Sequence, residues 1–420
     1  MGIVRAGAFS AVAAAARLLS GLVVIKLVAL FVGPEGVAKL GQFISLMSLL
    51  LVFAGGGIGT GIIKYTAEYH GDNERLNNLL SAGIYYTLIT SCLTGVVVLI
   101  FSKPLTLWLL GDIHSQSLIW ILAVAQALIA IHNYIVAIIN GFMDVRRVTL
   151  IHVIGSLVSL VITALLAYFF RLYGALLALV LGQAFLLVVS LHFFRHSSYF
   201  NWSFFYPRFD RYKIGLLVRF SSMTMISALL SPLVQIWVRN YLAKEFSWKE
   251  VGYWQAVSKV SDAYLLFITM AINVYYLPKL SSIRDRTQFR AELRNAYRYI
   301  MPVVIVLAVA IFTLREWITL ILFSEDFINA SYLYAPQLIG DVLKISSYIF
   351  AYVMLARAMT RTFLLSELAF NMMYCGWVLV LTPRFGLIGS MYAFTLNYIL
   401  YLGFTFVVAE SYIKTMDKTV

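Results

Sequence analysis

The chain has 420 residues, of which 61% are apolar and 12% are charged, and its mean hydropathy is +0.87. A soluble chain carries about 25% charged residues, so this composition excludes an ordinary soluble enzyme and a disordered protein. It also excludes a nucleic-acid binder despite a formal net charge of +13, and it indicates an integral membrane protein.

Apolar runs predict six membrane spans in each half of the chain, because a helix needs about 20 such residues to cross a bilayer. The first run is too long for the core of a signal peptide and lacks a convincing cleavage site. The predicted spans of the first half cover residues 6–32, 40–64, 79–101, 117–140, 149–170 and 173–194. Those of the second half cover residues 213–242, 250–278, 296–314, 330–356, 362–381 and 386–408.

The longest hydrophilic segment before Lys279, at residues 195–212, falls at the midpoint of the chain. It predicts an N-lobe of helices 1–6 over residues 1–194, a cytoplasmic linker over 195–212 and a C-lobe of helices 7–12 over 213–420. The sequence therefore predicts an all-α integral membrane protein of twelve transmembrane helices.

The distribution of Lys and Arg predicts the orientation. If the N-terminus lies in the cytoplasm, 19 of the 32 basic residues fall in the segments between spans on the cytoplasmic side. Eight fall in the segments on the outer side, and Arg239 is counted among these eight. Both termini are therefore expected in the cytoplasm.

Short patterns recur between the halves. Glu35 lies 29 residues before Lys64, and Glu250 lies 29 residues before Lys279, so both offsets between the halves are 215. A basic residue, an aromatic residue and a glycine also occur late in each half, at 171–174 and at 384–386. The pattern predicts two pseudo-symmetric six-helix lobes around a central cavity, where transporters bind their substrates.

Motifs for catalysis or nucleotide binding are absent from the sequence, so the chain is not expected to be an enzyme or to hold a cofactor or metal. Cys92 and Cys375 lie in separate apolar runs and indicate neither a disulfide nor a zinc site. The glycine cluster at 55–61 lies inside the second predicted span, where close helix packing or a bend is favoured over a phosphate loop.

Ionisable residues inside the predicted spans are the best candidates for function, because each costs roughly 2.5–3.5 kcal/mol at the membrane centre. They are Arg17, Lys26, Arg219, Lys259, Asp262, Asp341, Lys344 and Glu367. Lys64 and Lys279 add positive charge at the cytoplasmic ends of two spans. A net positive interior suits an anion such as a phosphate ester.

Structural explanations for these residues remain open. Lys259 and Asp262, like Asp341 and Lys344, are i,i+3 pairs that can neutralise each other on one helix face. Lys26 and Arg219 lie near enough to span ends to snorkel, and Glu367 suits an interfacial position equally well. Arg17 and Lys26 fall on opposite sides of a straight helix. His132 and His152 suit packing or hydrogen bonding better than ligand binding.

Several strings of the sequence resemble a known family when taken together in their order and spacing. They are 31–36 (FVGPEG), 54–57 (AGGG) running to Lys64-Tyr65, 141–144 (GFMD), 251–255 (VGYWQ), 261–264 (SDAY) and 340–344 (GDVLK). The whole chain resembles the Wzx-type polysaccharide and O-antigen flippases of the multidrug/oligosaccharidyl-lipid/polysaccharide exporter superfamily. The resemblance is greatest to those that serve enterobacterial common antigen synthesis.

The resemblance implies a MATE-like fold and a function. Such a protein would move an undecaprenyl-diphosphate-linked oligosaccharide, lipid III or an O-antigen unit, from the cytoplasmic to the periplasmic leaflet of the bacterial inner membrane. It would work by alternating access, as a monomer, with coupling to a proton or ion gradient, and beside the polymerase and chain-length regulator of its pathway.

This implied function divides the ionisable residues into two groups. Diphosphate binding is expected of Lys26, Arg219 and Lys344 at different stages, supported by Lys64, Lys279 and Arg17. Coupling or charge pairing is expected of Asp262, Asp341, Glu367 and Lys259.

Three alternative functions fit the sequence less well. A drug or cation antiporter of the same superfamily would need an acidic cavity, and a lipid II flippase typically has two more helices. A membrane glycosyltransferase or polymerase would need large outer loops with catalytic acids, whereas the outer breaks here are short.

Overall fold

The computed structural model describes residues 3–416, with backbone alone at positions 3–8, 10, 223, 224, 271 and 274. This part of the chain is helical throughout and contains no strand. Its first seven helices are α1 (Ile3–Phe31), α2 (Pro34–Ala54), α3 (Gly59–Glu68), α4 (Asn73–Ile100), α5 (Ser102–Leu110), α6 (Gln116–Gly141) and α7 (Val145–Arg195). The next four are α8 (Arg211–Glu245), α9 (Trp248–Ala271), α10 (Leu277–Ser282) and α11 (Arg286–Thr313). The last four are α12 (Arg315–Leu322), α13 (Tyr334–Ala356), α14 (Thr360–Phe385) and α15 (Ile388–Thr415).

The chain divides into two compact units, Met1–Ile236 and Trp237–Val420, and the boundary in the sequence falls within α8. The first part of α8 packs into the core of the first unit, where Leu217 is fully buried in a cluster with Ile62, Tyr134 and Phe194. The predicted lobe boundary at 195–212 stays a prediction about the arrangement in the membrane.

Nine helices in the described part of the chain are long and apolar enough to cross a bilayer, or ten if the bent α8 is included. The 51 residues of α7 count once, although their two parts pack against each other: a Cβ on Gly155 would lie 2.2 Å from Leu186, and a Cβ on Gly182 would lie 3.1 Å from Ser159 Oγ. This helix is interrupted at Arg171 (φ 49°, ψ −127°), between the two spans predicted there. Polar residues such as Gln255, Lys259 and Asp262 lower the hydropathy of α9. The count of twelve therefore stays a prediction.

The glycine cluster bends the second predicted span, as expected. Helix α2 ends at Ala54, the chain turns through Gly56 (φ 61°) and Gly57 (φ 65°), and α3 begins at Gly59. The Gly61 amide donates a hydrogen bond to Ser221 Oγ at 3.0 Å. A Cβ on Gly61 would lie 2.9 Å from that oxygen, so both predicted roles, bending and close packing, are confirmed.

Local structure recurs at the offset found in the sequence. Met143 (φ 57°) and Ala358 (φ 51°) have left-handed backbones and lie 215 residues apart, as do Arg171 (φ 49°) and Gly386 (φ 73°). Helices α4 and α11 each have 28 residues and correspond at an offset of 213. The same sequence of bends and helices is therefore built twice.

Two glycines mark the tightest of these recurring turns. A Cβ on Gly174 would lie 1.9 Å from the Leu166 carbonyl oxygen, and a Cβ on Gly389 would lie 2.4 Å from the Leu381 carbonyl oxygen. In both cases the partner is backbone eight residues earlier, so no side-chain rotation relieves the overlap.

We expect Gly174→Ala and Gly389→Ala each to destabilise the protein by about 1–3 kcal/mol, the usual effect of overpacking. Thermal unfolding of the purified protein, followed by tryptophan fluorescence, measures the change. Gly376→Ala is the matched control, because its Cβ meets nothing within 4 Å and alanine favours helix. Equal unfolding temperatures for the three variants would contradict the expectation.

Candidate functional site

Polar and charged side chains line up on two helices of the second unit. In α13, Gln337, Asp341, Lys344 and Tyr348 recur at steps of four, three and four residues, which places them on one helix face. In α9, Gln255, Lys259 and Asp262 follow the same spacing. Each helix therefore carries a polar stripe along an otherwise apolar surface.

Asp341 is the buried anion of this site. Its side chain is fully buried, and its carboxylate accepts hydrogen bonds from Tyr264 Oη at 2.9 Å and Gln337 Nε2 at 3.0 Å. The bond from Tyr264 connects α9 to α13, the bond from Gln337 lies within α13, and together they satisfy both carboxylate oxygens. Two neutral donors thus hold the carboxylate, which also interacts electrostatically with Lys344.

Lys344 lies one helical turn from Asp341 within a group of aromatic rings. Its Nζ is 5.9 Å from the ring centroids of Tyr348, Phe394 and Tyr398. Ring faces attract a cation through their quadrupoles but do not cancel its charge. The Lys344 ammonium group is therefore surrounded by aromatic rings, and it lies close enough to Asp262 and Asp341 to interact with both electrostatically.

The salt bridge predicted between Lys259 and Asp262 is present. Lys259 Nζ lies 3.1 Å from Asp262 Oδ2, and the Asp262 side chain is 58% exposed. This pair is neutral in total, so it adds little to the net charge of the site.

Arg239 corrects the sequence analysis, which counted this residue in an outer loop. It lies within α8 and is only 4% exposed. Its Nε donates a hydrogen bond to Gln255 Oε1 at 2.7 Å, and its guanidinium carbon lies 5.7 Å from the centroid of the Trp254 ring. Gln255, a polar residue in an apolar run of α9, is the one sequence signal that could have indicated a buried partner.

The first half of the chain builds the same helices without these charges. At the offset of 215, the counterparts are Val24 for Arg239, Ile44 for Lys259, Met47 for Asp262 and Ile129 for Lys344. Asp341 corresponds to Gln126, which is neutral and donates to the Ser91 carbonyl at 2.7 Å. The fold therefore forms with uncharged residues at these positions, which makes the charges of the second unit candidates for function.

The other predicted cations near span centres belong to the first unit. Arg17 and Lys26 lie in α1, and Arg219 lies in α8, with Lys26 half-buried and the two arginines exposed on the protein surface. Helix α1 packs on α7, where Ser20 Oγ donates to the Ser156 carbonyl at 3.2 Å.

The remaining predicted residues lie nearer helix ends. Lys64 in α3 is 3.8 Å from Glu68 Oε2, and its Nζ lies 4.3 Å and 4.5 Å from the ring centroids of Tyr65 and Phe220. Lys279 in α10 is exposed, and Glu367 in α14 is half-buried. Their assignment to substrate binding or coupling stays a prediction.

Comparison with known proteins gives the chain clear relatives. A family model described as "polysaccharide biosynthesis protein" matches residues 27–332. Lipid III flippases of Escherichia coli (strain K12) and Shigella flexneri are each 32% identical to the chain over 409 residues, which is 96% of either protein.

Solved structures give the same fold at lower identity. An inward-facing multidrug resistance MATE family transporter of the MOP superfamily matches with a TM-score of 0.81 and 15% identity, over 96% of each chain. A MOP superfamily transporter from Pyrococcus furiosus, whose reversed pocket polarity suggests a different function, matches with a TM-score of 0.72 and 16% identity. That match covers 99% of this chain and 96% of the other. The predicted all-α, MATE-like fold is confirmed.

Proposed function

The chain belongs to the family of polysaccharide biosynthesis proteins, and from this membership we propose that it is a flippase for an undecaprenyl-diphosphate-linked oligosaccharide. The proteins it resembles over 96% of its length are named flippases, so the chain is a transporter and not an enzyme. The observation that carries the proposal is Lys344, an ammonium held among aromatic rings in the second unit.

The chemistry of this site matches the head of such a lipid. Lys344 and Arg239 supply positive charge for the diphosphate, while the faces of Phe394 and Tyr398 offer apolar surface on which sugar rings can stack. Lys26 and Arg219 contact the diphosphate at other stages of the cycle. Lys64 and Lys279, at the cytoplasmic ends of two predicted spans, act with Arg17 to increase the local concentration of the anionic lipid.

We assign the protein to the bacterial inner membrane with both termini in the cytoplasm. The excess of Lys and Arg in the segments between spans on the cytoplasmic side supports this orientation. The recurrence of the same local structure in both halves of the chain supports alternating access. We further propose that it works as a monomer, beside the polymerase and chain-length regulator of its pathway. The substrate is lipid III or an O-antigen unit.

The second candidate function is export of a drug or organic cation, since the solved structures with this fold include a multidrug resistance MATE family transporter. The charges of the site disfavour it. Arg239, Lys259 and Lys344 outnumber Asp262 and Asp341, and Asp341 is already bonded to Tyr264 and Gln337. A cationic substrate would therefore meet net repulsion.

Purified protein in liposomes tests the proposal directly. We expect it to move a fluorescent lipid-linked oligosaccharide between leaflets, measured by the fraction accessible to an external reagent, without altering the molecule. Protein-free liposomes and transport of an organic cation serve as controls. Cation transport without lipid flipping would replace the flippase assignment by the antiporter, and chemical change of the lipid would contradict a pure transporter.

Asp341 is the candidate for coupling to a proton gradient. We expect Asp341→Asn, which keeps the shape of the side chain but not its ability to release a proton, to remove the dependence of flipping on that gradient. Flipping rates with and without an imposed pH gradient measure this. Asp262→Asn is the comparison, because Asp262 is exposed and already paired with Lys259. An unchanged gradient dependence in Asp341→Asn would remove this residue from the coupling mechanism.

A further inference from the structure

A lysine–aromatic cluster lies where α3 packs on the first three turns of α8, within the first unit. Its members are Lys64, Lys213, Tyr65, Tyr69, Tyr212 and Phe220. Lys213 Nζ is 5.5 Å from the ring centroid of Tyr69 and 5.9 Å from that of Tyr212, while Lys64 Nζ lies over the other two rings. The ring centroids of Tyr65 and Tyr69 are 5.9 Å apart. The surroundings of the two lysines are therefore continuous.

The two helices that carry the cluster are joined by hydrogen bonds. Thr60 Oγ1 donates to Ser221 Oγ at 3.2 Å, and the same oxygen accepts the bond from the Gly61 amide. One turn away, the ring of Tyr65 is buried and packs edge-on against the ring of Phe220, with centroids 5.9 Å apart. The rings thus form a fixed surface on which the lysines lie.

The positive charge of the cluster is poorly neutralised. Ring faces attract an ammonium group but do not cancel its charge. Glu68 Oε2 is 3.8 Å from Lys64 Nζ, which is longer than a hydrogen bond. Asp210 Oδ1 accepts bonds from the backbone amides of Tyr212 and Lys213 at the start of α8. Both ammonium groups therefore retain N–H donors for an anionic ligand.

The cluster is open to such a ligand. The side chain of Lys64 is 42% exposed, Phe220 is 42% exposed and Tyr212 is 73% exposed. Ammonium groups bind phosphate oxygens strongly. A tyrosine adds a flat apolar face for a sugar ring and a hydroxyl group that bonds to sugar hydroxyls. Lysines and tyrosines together therefore suit a phosphorylated sugar, whereas a free phosphate would make no use of the rings.

The aromatic part of the cluster is not required by the fold. Lys279 is the second-half counterpart of Lys64 at the offset of 215, but Leu280 and Arg284 stand where the first half has Tyr65 and Tyr69. The repeated fold thus accepts a lysine at this place without the two tyrosines. Their presence beside Lys64 makes the whole cluster a candidate for function.

We propose that the lysine–aromatic cluster is a loading site, which receives the diphosphate and the first sugar of the lipid-linked substrate before the Lys344 site does. The assignment rests on the proposed function and gives it a second binding element, with Lys213 as an added binding residue. Lys64 and Lys213 lie at the predicted cytoplasmic ends of two spans. A flippase that works toward the periplasm takes up its substrate on that side.

The dependence of flipping on substrate concentration tests the loading role. In a variant with both Lys64→Gln and Lys213→Gln, we expect the half-saturating concentration of fluorescent lipid-linked oligosaccharide to rise about tenfold, because two charged contacts are lost. The maximal rate should stay close to that of the wild type, since the Lys344 site is intact. Lys103→Gln is the matched control, because it removes one charge at an exposed position of α5 and should change neither value.

The rings have a test of their own at an exposed position where folding is not at stake. Tyr212→Leu removes the ring face without changing the charge, so it should raise the half-saturating concentration several-fold. Tyr212→Phe keeps the face and should raise it less. Equal values for the wild type and Tyr212→Leu would remove the sugar from the assignment.

Phospholipid in the same liposomes separates the two sources of a phosphorylated head group. We expect added phosphatidylglycerol to leave the half-saturating concentration of the wild type unchanged. A rise in the wild type but not in the double variant would show that the cluster binds phospholipid, and would overturn the loading site. Wild-type saturation behaviour in the double variant would overturn it as well, while leaving the flippase in place. Absence of flipping by the wild type would instead contradict the proposed function.

Discussion

Replacing Lys344 by glutamine is expected to lower the rate of lipid-linked oligosaccharide flipping about 10- to 100-fold. A hydrogen bond to a charged group contributes about 1.5–3 kcal/mol, and a tenfold change corresponds to about 1.4 kcal/mol. The aromatic rings around Lys344 Nζ cannot replace the lost charge. Flipping by the variant in liposomes, at equal protein density, measures the effect.

The fold should survive this substitution, since the first-half counterpart of Lys344 is the uncharged Ile129. Lys344→Arg keeps the charge and should retain part of the activity, and Lys249→Gln, at an exposed position in the first turn of α9, should leave flipping unchanged. Full activity in Lys344→Gln would exclude Lys344 from substrate binding.

Asp341→Ala is expected to destabilise the protein by several kcal/mol and to abolish flipping. Removal of the carboxylate leaves Tyr264 Oη and Gln337 Nε2 without the acceptor that each now bonds, and each orphaned buried group costs about 1–3 kcal/mol. The carboxylate also joins α9 to α13, so the two polar stripes would lose their alignment. Thermal unfolding and flipping are measured on the same preparation.

Tyr264→Phe is the matched control, because it removes one donor and leaves the carboxylate bonded to Gln337. Its cost should be close to that of one ordinary hydrogen bond, about 0.5–1.5 kcal/mol. If Asp341→Ala unfolds at the wild-type temperature, the carboxylate does not hold the two helices together.

Local features of the structure were predictable from the sequence because they depend on neighbours along the chain. The bend at Gly56 and Gly57 and the salt bridge of Lys259 with Asp262 follow from residue type and helical spacing. The offset of 215 between Glu35 and Glu250 likewise indicated the doubled local structure. The apolar composition was enough to identify the class of protein.

Partners that come from other helices could not be predicted. Asp341 was expected to pair with Lys344 on its own helix or to carry a proton, which stays a prediction, but the hydrogen bond that it accepts from Tyr264 of α9 has no signal in the sequence. Arg239 was counted as a loop residue, because nothing near it in the chain shows that Gln255 accepts its hydrogen bond.

The central claim is that the positive, aromatic site of the second unit binds the diphosphate head of a lipid-linked oligosaccharide. Equilibrium binding of that lipid to the purified protein, compared between wild type and Lys344→Gln and repeated with an organic cation, tests it most directly. We predict tight binding of the lipid by the wild type, binding at least tenfold weaker in the variant, and no binding of the cation. Equal affinity of the two proteins for the lipid, or preferential binding of the cation, would contradict the claim.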